Sequence, residues 1–308
     1  MNSAPIVVVG STNTDMVIKA SHLPQPGETI LGGTFFMSAG GKGANQAVAA
    51  ARLGASVLFV AKTGYDIFGR QAIELFEKEG IDISCICRDT FQPSGVALIT
   101  VDDNGENCIV VAPGANAALS REDIDLVKEK IENTSFLLMQ LETPIETVEY
   151  VTEIAVAKSI TVILNPAPAA KLNDDLLKRI SILTPNQKEA EMLTGIKVVD
   201  ASSAEKAADF LNNKGIETVI ITMGAAGAFV SHDNKYTMIE GTKVKVVDTT
   251  AAGDVFNGAL VVALSENRTI EEAVAFGCKA AAISVTRLGA QASAPYRKEV
   301  ESFELADI

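Results

Sequence analysis

Residues 248–258 have the sequence Asp-Thr-Thr-Ala-Ala-Gly-Asp-Val-Phe-Asn-Gly, in which small residues lead into an acid and then into a long apolar helix. The start of a helix presents free backbone N–H groups and the positive end of the helix dipole. Without bulky side chains in the way, a phosphate group can come close to that backbone. The start of this helix is therefore predicted to be a site where an anion such as phosphate can bind.

Asp254 lies in the first turn of this predicted helix, beside the anion site. Because the dipole favours the charged form, we expect this carboxylate to stay ionised. An ionised carboxylate next to a phosphate site can take a proton from an attacking hydroxyl, as a phosphotransferase requires. An ordinary helix with an acid in its first turn would contain the same residues, so this stretch alone leaves both interpretations open.

A second glycine-rich segment, residues 38–46, has the sequence Ser-Ala-Gly-Gly-Lys-Gly-Ala-Asn-Gln and leads into a helix of small residues. Its glycines expose backbone around Lys42, and Asn45 offers both a donor and an acceptor, which suits a polyhydroxylated ligand. Gly43 follows the lysine where a P-loop needs Ser or Thr, and the third glycine of a dinucleotide fingerprint is absent. A tight turn into a closely packed helix is the simpler alternative.

Strand and helix patterns alternate along the chain and predict the fold class. Short continuous apolar runs are typical of strands buried on both faces, and they occur at residues 6–10, 57–60, 136–139, 161–164, 180–183 and 218–221. Helices are predicted between them, from Asp66 to Glu79, from the N-cap Ser120, from Pro144, and from Ser203 to Lys214. We expect one α/β domain over residues 1–308, with a doubly wound, mostly parallel sheet, helices on both faces, and ligands at the carboxyl ends of the strands.

Two segments, roughly 14–37 and 95–111, interrupt this alternation. The first alternates polar and apolar residues, and the second contains Asn104-Gly105, a strong hairpin signal. Together they predict a small antiparallel sheet beside the main domain, which we call the β lid. An edge hairpin without a function is the alternative.

Composition narrows the classes of partner. The net charge of −13 argues against nucleic acids and anionic membrane surfaces as partners. No apolar run approaches the roughly 20 residues of a membrane span, and the N-terminus has no secretory pattern. Four cysteines and two histidines form no metal-binding pattern, so we expect a reduced, cytoplasmic setting.

Four motifs, in this order along the chain, resemble the PfkB family of carbohydrate kinases. They are Asn13-Thr14-Asp15, the Gly-Gly-Lys-Gly-Ala-Asn run at 40–45, Asn186-Gln187-Lys188-Glu189, and the stretch from Asp248 to Ala259. The resemblance covers essentially the whole chain. It implies that Asp254 is the general base, that the backbone of Ala251, Ala252 and Gly253 forms an anion hole for the transferring phosphoryl group, and that the sugar is bound by Asn13, Asp15, Gly41, Lys42, Asn45, Glu142 and Asp254.

The resemblance also implies ATP as phosphoryl donor and a nucleotide site in the C-terminal half. The residues concerned are Asn186, Glu189, Thr222, Gly224, Gly227, Gly253 and Cys278, with Glu189 acting on Mg²⁺ through water. Without the family context, Asn186 to Glu189 would be interpreted as a helix-capping box. Cys278 stands where relatives often have Asn or His, and because a thiol is a weak hydrogen-bonder we assign it no role in recognising the base.

A K⁺ site and a homodimer formed through the β lid are further implications of the resemblance. The expected K⁺ site combines carbonyls and one carboxylate from Asp248, Thr250, Ser284, Arg287, Gly289 and Ser293. The expected acceptor is the primary 5-hydroxyl of D-ribose, and because Asp15 suits a vicinal diol, deoxyribose should bind less well. The alternatives are deoxyribose, fructose or a nucleoside as substrate, a non-catalytic sugar- or nucleotide-binding protein, and a dehydrogenase. The dehydrogenase alternative is disfavoured because this chain has no Gly-x-Gly-x-x-Gly motif after the first strand.

Overall fold

The computed structural model describes residues 5–303 of the chain. The N-terminal residues on which the expectation about secretion depends lie outside the described residues. The strands within this range are β1 (Ile6–Val9), β2 (Asn13–Lys19), β3 (Thr34–Gly40), β4 (Val57–Gly64), β5 (Asp82–Asp89), β6 (Gly95–Val101), β7 (Asn107–Ala112), β8 (Phe136–Met139), β9 (Thr161–Leu164), β10 (Ile182–Leu183), β11 (Thr218–Thr222), β12 (Gly227–His232) and β13 (Lys235–Glu240).

The helices alternate with these strands. They are α1 (Lys42–Arg52), α2 (Ile67–Lys78), α3 (Arg121–Asp125), α4 (Lys128–Glu132), α5 (Ile145–Ala157), α6 (Asp174–Leu177), α7 (Gln187–Thr194), α8 (Ala201–Asn212), α9 (Ala252–Ser265), α10 (Ile270–Ser284) and α11 (Arg297–Ser302). Asp66, Ser120 and Pro144 are the N-cap residues of α2, α3 and α5, close to the predicted helix starts. The predicted start of α8 at Ser203 is wrong by two residues, because Asp200 and Ser203 form a capping box that begins the helix at Ala201.

The main sheet has the strand order β13-β12-β11-β10-β9-β8-β1-β4-β5. Strands from β11 to β5 in this order are parallel, and β12 and β13 extend one edge as antiparallel strands. Every apolar run predicted to be a strand lies in this sheet. The antiparallel extension was not predicted.

Helices cover both faces of the main sheet and confirm the predicted fold class. Neighbouring residues of β1 point into different cores, since Ile6 and Val8 pack with α1, α9 and α10, whereas Val7 and Val9 pack with α5 and α8. This alternation is the expected behaviour of a strand buried on both faces. Among residues 5–303, none of the helices combines the length and the apolar character that crossing a bilayer requires.

Helices α1 and α9 pack unusually close together. A side chain at Gly258 of α9 would place its Cβ 2.7 Å from Cβ of Ala49 and 2.8 Å from the carbonyl of Gln46, both on α1. Because no side chain separates the two backbones, the N-terminal ends of α1 and α9 lie side by side. Each of the two glycine-rich segments ends in one of these helices.

The β lid is a separate four-stranded sheet with the order β3-β2-β6-β7. Its β2–β3 and β6–β7 pairs are antiparallel, as predicted, whereas the central strands β2 and β6 run parallel. An apolar row crosses all four strands in register and consists of Met37, Met16, Leu98 and Val110. Half or more of the surface of Met37, Leu98 and Val110 is exposed.

Candidate active site

Asp254 lies in the first turn of α9 and is buried. Its two carboxylate oxygens accept hydrogen bonds from two neighbouring side chains of α1. Asn45 donates from Nδ2 to Oδ2 at 2.9 Å, and Gln46 donates from Nε2 to Oδ1 at 2.9 Å. The glycine-rich segments at 38–46 and 248–258 therefore meet at this carboxylate.

The expectation that the helix dipole determines the charge state of Asp254 needs correction. Burial is the largest influence and raises the pKa of this carboxyl above its ordinary value. The positive charge of Lys42 and the hydrogen bonds from Asn45 and Gln46 act in the opposite direction, and Glu142 adds to the increase. The increase brings the pKa of this carboxyl nearer to neutral pH, and a general base works best when its pKa lies near the working pH.

The backbone before α9, where the anion hole is predicted, turns sharply into the helix and borders open space. Ala251, the N-cap residue, adopts a left-handed conformation with φ of 59°, which turns the chain into the helix. A Cβ added at Gly253 would meet no heavy atom within 4 Å, so the space in front of this residue is open. The protein's own packing therefore does not fill this space, which leaves room for a ligand to approach the backbone at Gly253.

A polar cavity of about 220 Å³ lies directly in front of this backbone. Its walls carry groups that suit a phosphate chain: Lys42, Asn165, Thr184, Asn186, Glu189, Thr222, Thr249, Asp254 and Asn257, together with residues 251–253. Lys42 was predicted to bind sugar, and the structure places it in this wall. Burial lowers its pKa, but the charges of Asp254, Glu142 and Glu189 outweigh burial and raise it, so Lys42 stays cationic.

Asn186 and Glu189 form the capping box that the sequence alone suggested. The Asn186 side chain accepts from the Glu189 backbone N–H at 2.9 Å, and the Glu189 carboxylate accepts from the Asn186 N–H at 2.8 Å. Both side chains also line the polar cavity, where burial raises the pKa of Glu189. Capping the helix and facing a ligand are therefore compatible for this pair.

The predicted sugar-binding residues gather where the loop after β1 meets the start of α1. Glu142 accepts from Ser11 Oγ at 2.5 Å and from the Lys42 backbone N–H at 3.0 Å. Gly41, at φ of 91°, lies so close to the backbone just before β2 that a Cβ there would be 2.7 Å from Cα of Thr12. The glycines of the segment are thus required by a close contact between two backbone segments.

Asp15 lies against Gly40, since a Cβ at that glycine would fall within 2.4 Å of all three carboxyl atoms. Burial, with a smaller contribution from Glu142, raises the pKa of Asp15 to about 6. Asn45 keeps one buried amide oxygen, Oδ1, without a hydrogen-bond partner in the described structure. An unpartnered acceptor beside Asp254 is suited to a sugar hydroxyl.

Asn13 is held by a residue that the sequence analysis did not identify. Asn116 donates from Nδ2 to Asn13 Oδ1 at 2.8 Å and to the Thr12 carbonyl at 3.0 Å, while its Oδ1 accepts from the Thr12 N–H at 2.9 Å. Asn116 belongs to a 3₁₀ turn after β7 and carries no local pattern that would distinguish it in the sequence.

A second cavity, of about 350 Å³, adjoins the polar one and is mostly apolar. Thr222, Gly224, Gly227, Ala252, Gly253 and Cys278 line it, together with Val244, Val246, Phe256, Ala281, Ala282 and Val285. Thr222, Ala252 and Gly253 line both cavities, so they join the apolar space to the polar one. Burial raises the pKa of Cys278 to about 12, which keeps this thiol neutral.

The residues predicted to hold K⁺ lie in the segment before α9 and at or after the C-terminal end of α10. Asp248 accepts from Thr250, from both N–H and Oγ1, and from the Gly289 N–H at 2.9 Å. The side chains of Ser284 and Ser293 donate to the carbonyls of Ala281 and Ala290, and Arg287 pairs with Glu299. The side chains of Ser284, Ser293 and Arg287 are therefore bonded to other protein groups, so these residues could contribute to a K⁺ site only through their carbonyl oxygens.

A chain of buried polar side chains behind Asp254 was also not predicted. It consists of Gln46, Gln140, Asn165, Thr184 and Asn257. Its one sequence signal is the position of Gln46 directly after Asn45 in the glycine-rich segment. The other members come from separate strands and helices that only the fold brings together.

Comparisons with known proteins show which family the chain is similar to. A model of the family described as pfkB family carbohydrate kinase matches residues 3–297. A ribokinase of Haemophilus influenzae is 49% identical over 298 residues, covering 97% of either chain, and one of Staphylococcus aureus is 41% identical, covering 96% of this chain and 98% of that one. The structure of Arabidopsis thaliana ribokinase complexed with ribose and ATP superposes with a TM-score of 0.91 at 31% identity, covering 99% of both chains.

Proposed function

Because this chain belongs to the PfkB family of carbohydrate kinases, and its relatives include ribokinases, we propose that it transfers the terminal phosphoryl group of ATP to the 5-hydroxyl of D-ribose. The products are ribose 5-phosphate and ADP. One observation carries the proposal: the Asp254 carboxylate lies at the start of α9, between two amide donors of α1 and a polar cavity that adjoins an apolar one.

Asp254 is the general base in this mechanism. It takes the proton of the sugar's primary hydroxyl as the hydroxyl oxygen bonds to the terminal phosphorus of ATP, and the bond from that phosphorus to the bridging oxygen breaks to release ADP. The backbone of Ala251, Ala252 and Gly253 stabilises the charge of the transferring group, which is usually the largest catalytic contribution. Lys42 adds a buried positive charge on the same side.

Ribose binds on the other side of Asp254, against Asn13, Asp15, Gly41, Asn45 and Glu142. Asp15 as a carboxylate accepts hydrogen bonds from two adjacent hydroxyls, and the unpartnered Oδ1 of Asn45 accepts another. A deoxyribose lacks one hydroxyl of the vicinal diol and would leave a buried acceptor unsatisfied, so it is the weaker substrate.

ATP binds with its adenine in the apolar cavity and its phosphates in the polar one. The apolar cavity offers Gly224, Gly227 and Cys278 to the nucleoside, and Asn186 contacts phosphate. Glu189 fits Mg²⁺ held through water, because it is an oxygen ligand in the phosphate cavity and Mg²⁺ keeps several waters. The ion would neutralise charge on the phosphates of ATP.

A monovalent cation fits beside the anion hole. Asp248 supplies the carboxylate, and the loops of Thr250, Ser284, Arg287, Gly289 and Ser293 supply carbonyls, the hard oxygen ligands that K⁺ requires. A bound cation would fix the turn that precedes Ala251, since Asp248 already links that turn to the loop at Gly289.

The β lid is proposed to close over the sugar and to pair with a second copy of the chain. Its exposed apolar row of Met37, Leu98 and Val110 is the kind of surface that a partner covers. We expect the reaction to take place in the cytoplasm, where ATP is available and where Cys85, Cys87, Cys108 and Cys278, all free thiols, stay reduced.

The test is ADP release with MgATP and KCl, measured against a panel of ribose, deoxyribose, fructose and adenosine. Ribose is expected to give the highest kcat/KM. Turnover of another sugar but not of ribose would overturn the substrate assignment and leave the base and anion hole standing. No turnover with any acceptor, together with measurable ribose binding, would point instead to a binding protein.

A further inference from the structure

Gln46 is buried and contacts the proposed base without reaching either cavity wall. Its Nε2 donates to Asp254 Oδ1 at 2.9 Å and to Asn165 Oδ1 at 3.2 Å, so both of its amide protons are used. The sequence analysis assigned no role to this residue.

The orientation of the Gln46 amide is fixed from two sides. Asn165 donates from Nδ2 to the Thr184 carbonyl at 3.0 Å, and because a carbonyl can only accept, Asn165 must present its oxygen to Gln46. On the other side, Gln140 donates from Nε2 to Gln46 Oε1 at 2.6 Å. If the Gln46 amide rotated by half a turn, its oxygen would face both the Asp254 carboxylate and the Asn165 oxygen, all of them acceptors. The nitrogen of Gln46 therefore always faces the base.

We propose that Gln46 is a positioning residue that holds Asp254 as an oriented anion, with Gln140 and Asn165 fixing its direction. The proposal rests on the proposed function of Asp254 as general base. Gln46 occupies one lone pair of Oδ1, and Asn45 occupies one lone pair of Oδ2. A proton taken from the sugar hydroxyl therefore has to bind at one of the remaining lone pairs. The hydrogen bonds thereby orient the basic lone pairs. They also favour the charged form of the Asp254 carboxyl, which burial disfavours.

Other charges around Asp254 act on the same equilibrium. Lys42 on α1 favours the carboxylate, while Glu142 after β8 and Glu189 on α7 disfavour it. The charge of Lys42 is thus opposed by two acids, and Gln46 adds a neutral donor that favours the carboxylate. Removing that donor should shift the balance toward the protonated, inactive form.

The decisive experiment is the pH profile of kcat/KM for ribose with Gln46→Met, which keeps the length of the side chain and removes both donors. The acid limb is expected to move to higher pH by about one unit. On the acid side of the wild-type limb, turnover should fall about tenfold, and it should recover at pH values above the limb of the variant, while the Kd for ribose changes less than about threefold. Gln140→Met, which leaves Gln46 in place but removes one of the two groups that fix its direction, should shift the limb in the same direction by a smaller amount.

Thr152→Val is the matched control, because Thr152 is buried on α5 and bonds only to the Val148 carbonyl of its own helix. Its profile should superpose on that of the wild type. A profile unchanged in Gln46→Met, or a loss of activity equal at every pH, would overturn the inference. If Gln46→Met does not fold, an unshifted limb in Gln140→Met would overturn it in the same way. Full activity of Asp254→Asn would instead remove the proposed base, and the inference with it.

Discussion

Asn45 donates from Nδ2 to Oδ2 of Asp254 at 2.9 Å, and so joins two helix starts that are 209 residues apart in the sequence. One of these helices follows a glycine-rich loop beside the proposed sugar-binding residues, and the other follows the proposed anion hole. Because Gly258 allows α1 and α9 to touch, this hydrogen bond forms at the end of a rigid pair of helices. The proposed base, Asp254, therefore lies on this packed pair of helices and not in a loop.

Ribose affinity should depend on pH through Asp15. Its pKa of about 6 means that the carboxylate, which we propose accepts from two sugar hydroxyls, becomes protonated as the pH falls through that value. We expect the Kd for ribose, measured by calorimetry without ATP, to rise about tenfold between pH 7.5 and pH 5. Asp15→Asn should bind weakly and show no such step. A Kd for the wild type that is constant over this range would contradict the assignment.

The same carboxyl should destabilise the free protein at neutral pH. A folded-state pKa raised from 3.8 to about 6 favours the protonated form, so its contribution to stability is full below pH 3.8 and is lost as the pH rises through 6. Asp15→Asn is therefore expected to raise the free energy of unfolding by about 1–3 kcal/mol at pH 7.5. Denaturant melts at pH 7.5 and pH 4 would test this, since the gain should shrink at pH 4. A variant less stable than the wild type at pH 7.5 would refute it.

Two glycines of α9 should respond to alanine in different ways. Gly253 faces open space beside both cavities, so Gly253→Ala should fold with an unchanged or higher melting temperature but lose at least about tenfold in kcat. Gly258 contacts α1, so Gly258→Ala should cost about 1–3 kcal/mol of stability. Melting temperature and turnover, measured for both variants, distinguish a glycine that leaves room for a ligand from a glycine that is required by helix packing. Full activity of Gly253→Ala would argue against the anion hole.

Asp248 should make the reaction sensitive to the monovalent cation. Hydrogen bonds from Thr250 and Gly289 outweigh burial and lower the pKa of Asp248, so it is charged at neutral pH. Activity in KCl is expected to exceed that in NaCl of equal ionic strength several-fold, and K⁺ should raise the melting temperature of the wild type but not that of Asp248→Ala. Equal activity and equal melting curves in both salts would exclude a selective K⁺ site.

The apolar row of the β lid should determine the oligomeric state. Val110 is 63% exposed and stands in register with Leu98, so a charge there would face any lid packed against it. Val110→Glu is expected to convert a dimer into a monomer in light scattering without lowering the melting temperature of the subunit. Lys235→Glu, on the far edge strand of the main sheet, is the control and should leave the mass unchanged. A wild type that is monomeric at micromolar concentration would contradict the proposed dimer.

The sequence predicted those features of the fold and site that depend on local pattern. Buried strands such as Val57–Val60 are continuous apolar runs, and glycine-rich helix starts are visible around Lys42 and Asp254. The contribution of burial to the pKa of Asp254 was not predictable, because it depends on how α1 covers α9. Nor was Asn116, which holds Asn13 from a turn more than 100 residues away. Contacts of this kind are decided by packing and leave no periodic signal.

The most direct test of the account is the turnover of Asp254→Asn with ribose and MgATP, measured beside the affinity of the same variant for ribose. Asparagine keeps the size of the side chain and removes its basicity, so kcat should fall about 10²–10⁴-fold. The Kd for ribose should change little, because the sugar is bound mainly by other residues. Turnover within a few-fold of the wild type would contradict the central claim that Asp254 takes the proton from the attacking hydroxyl.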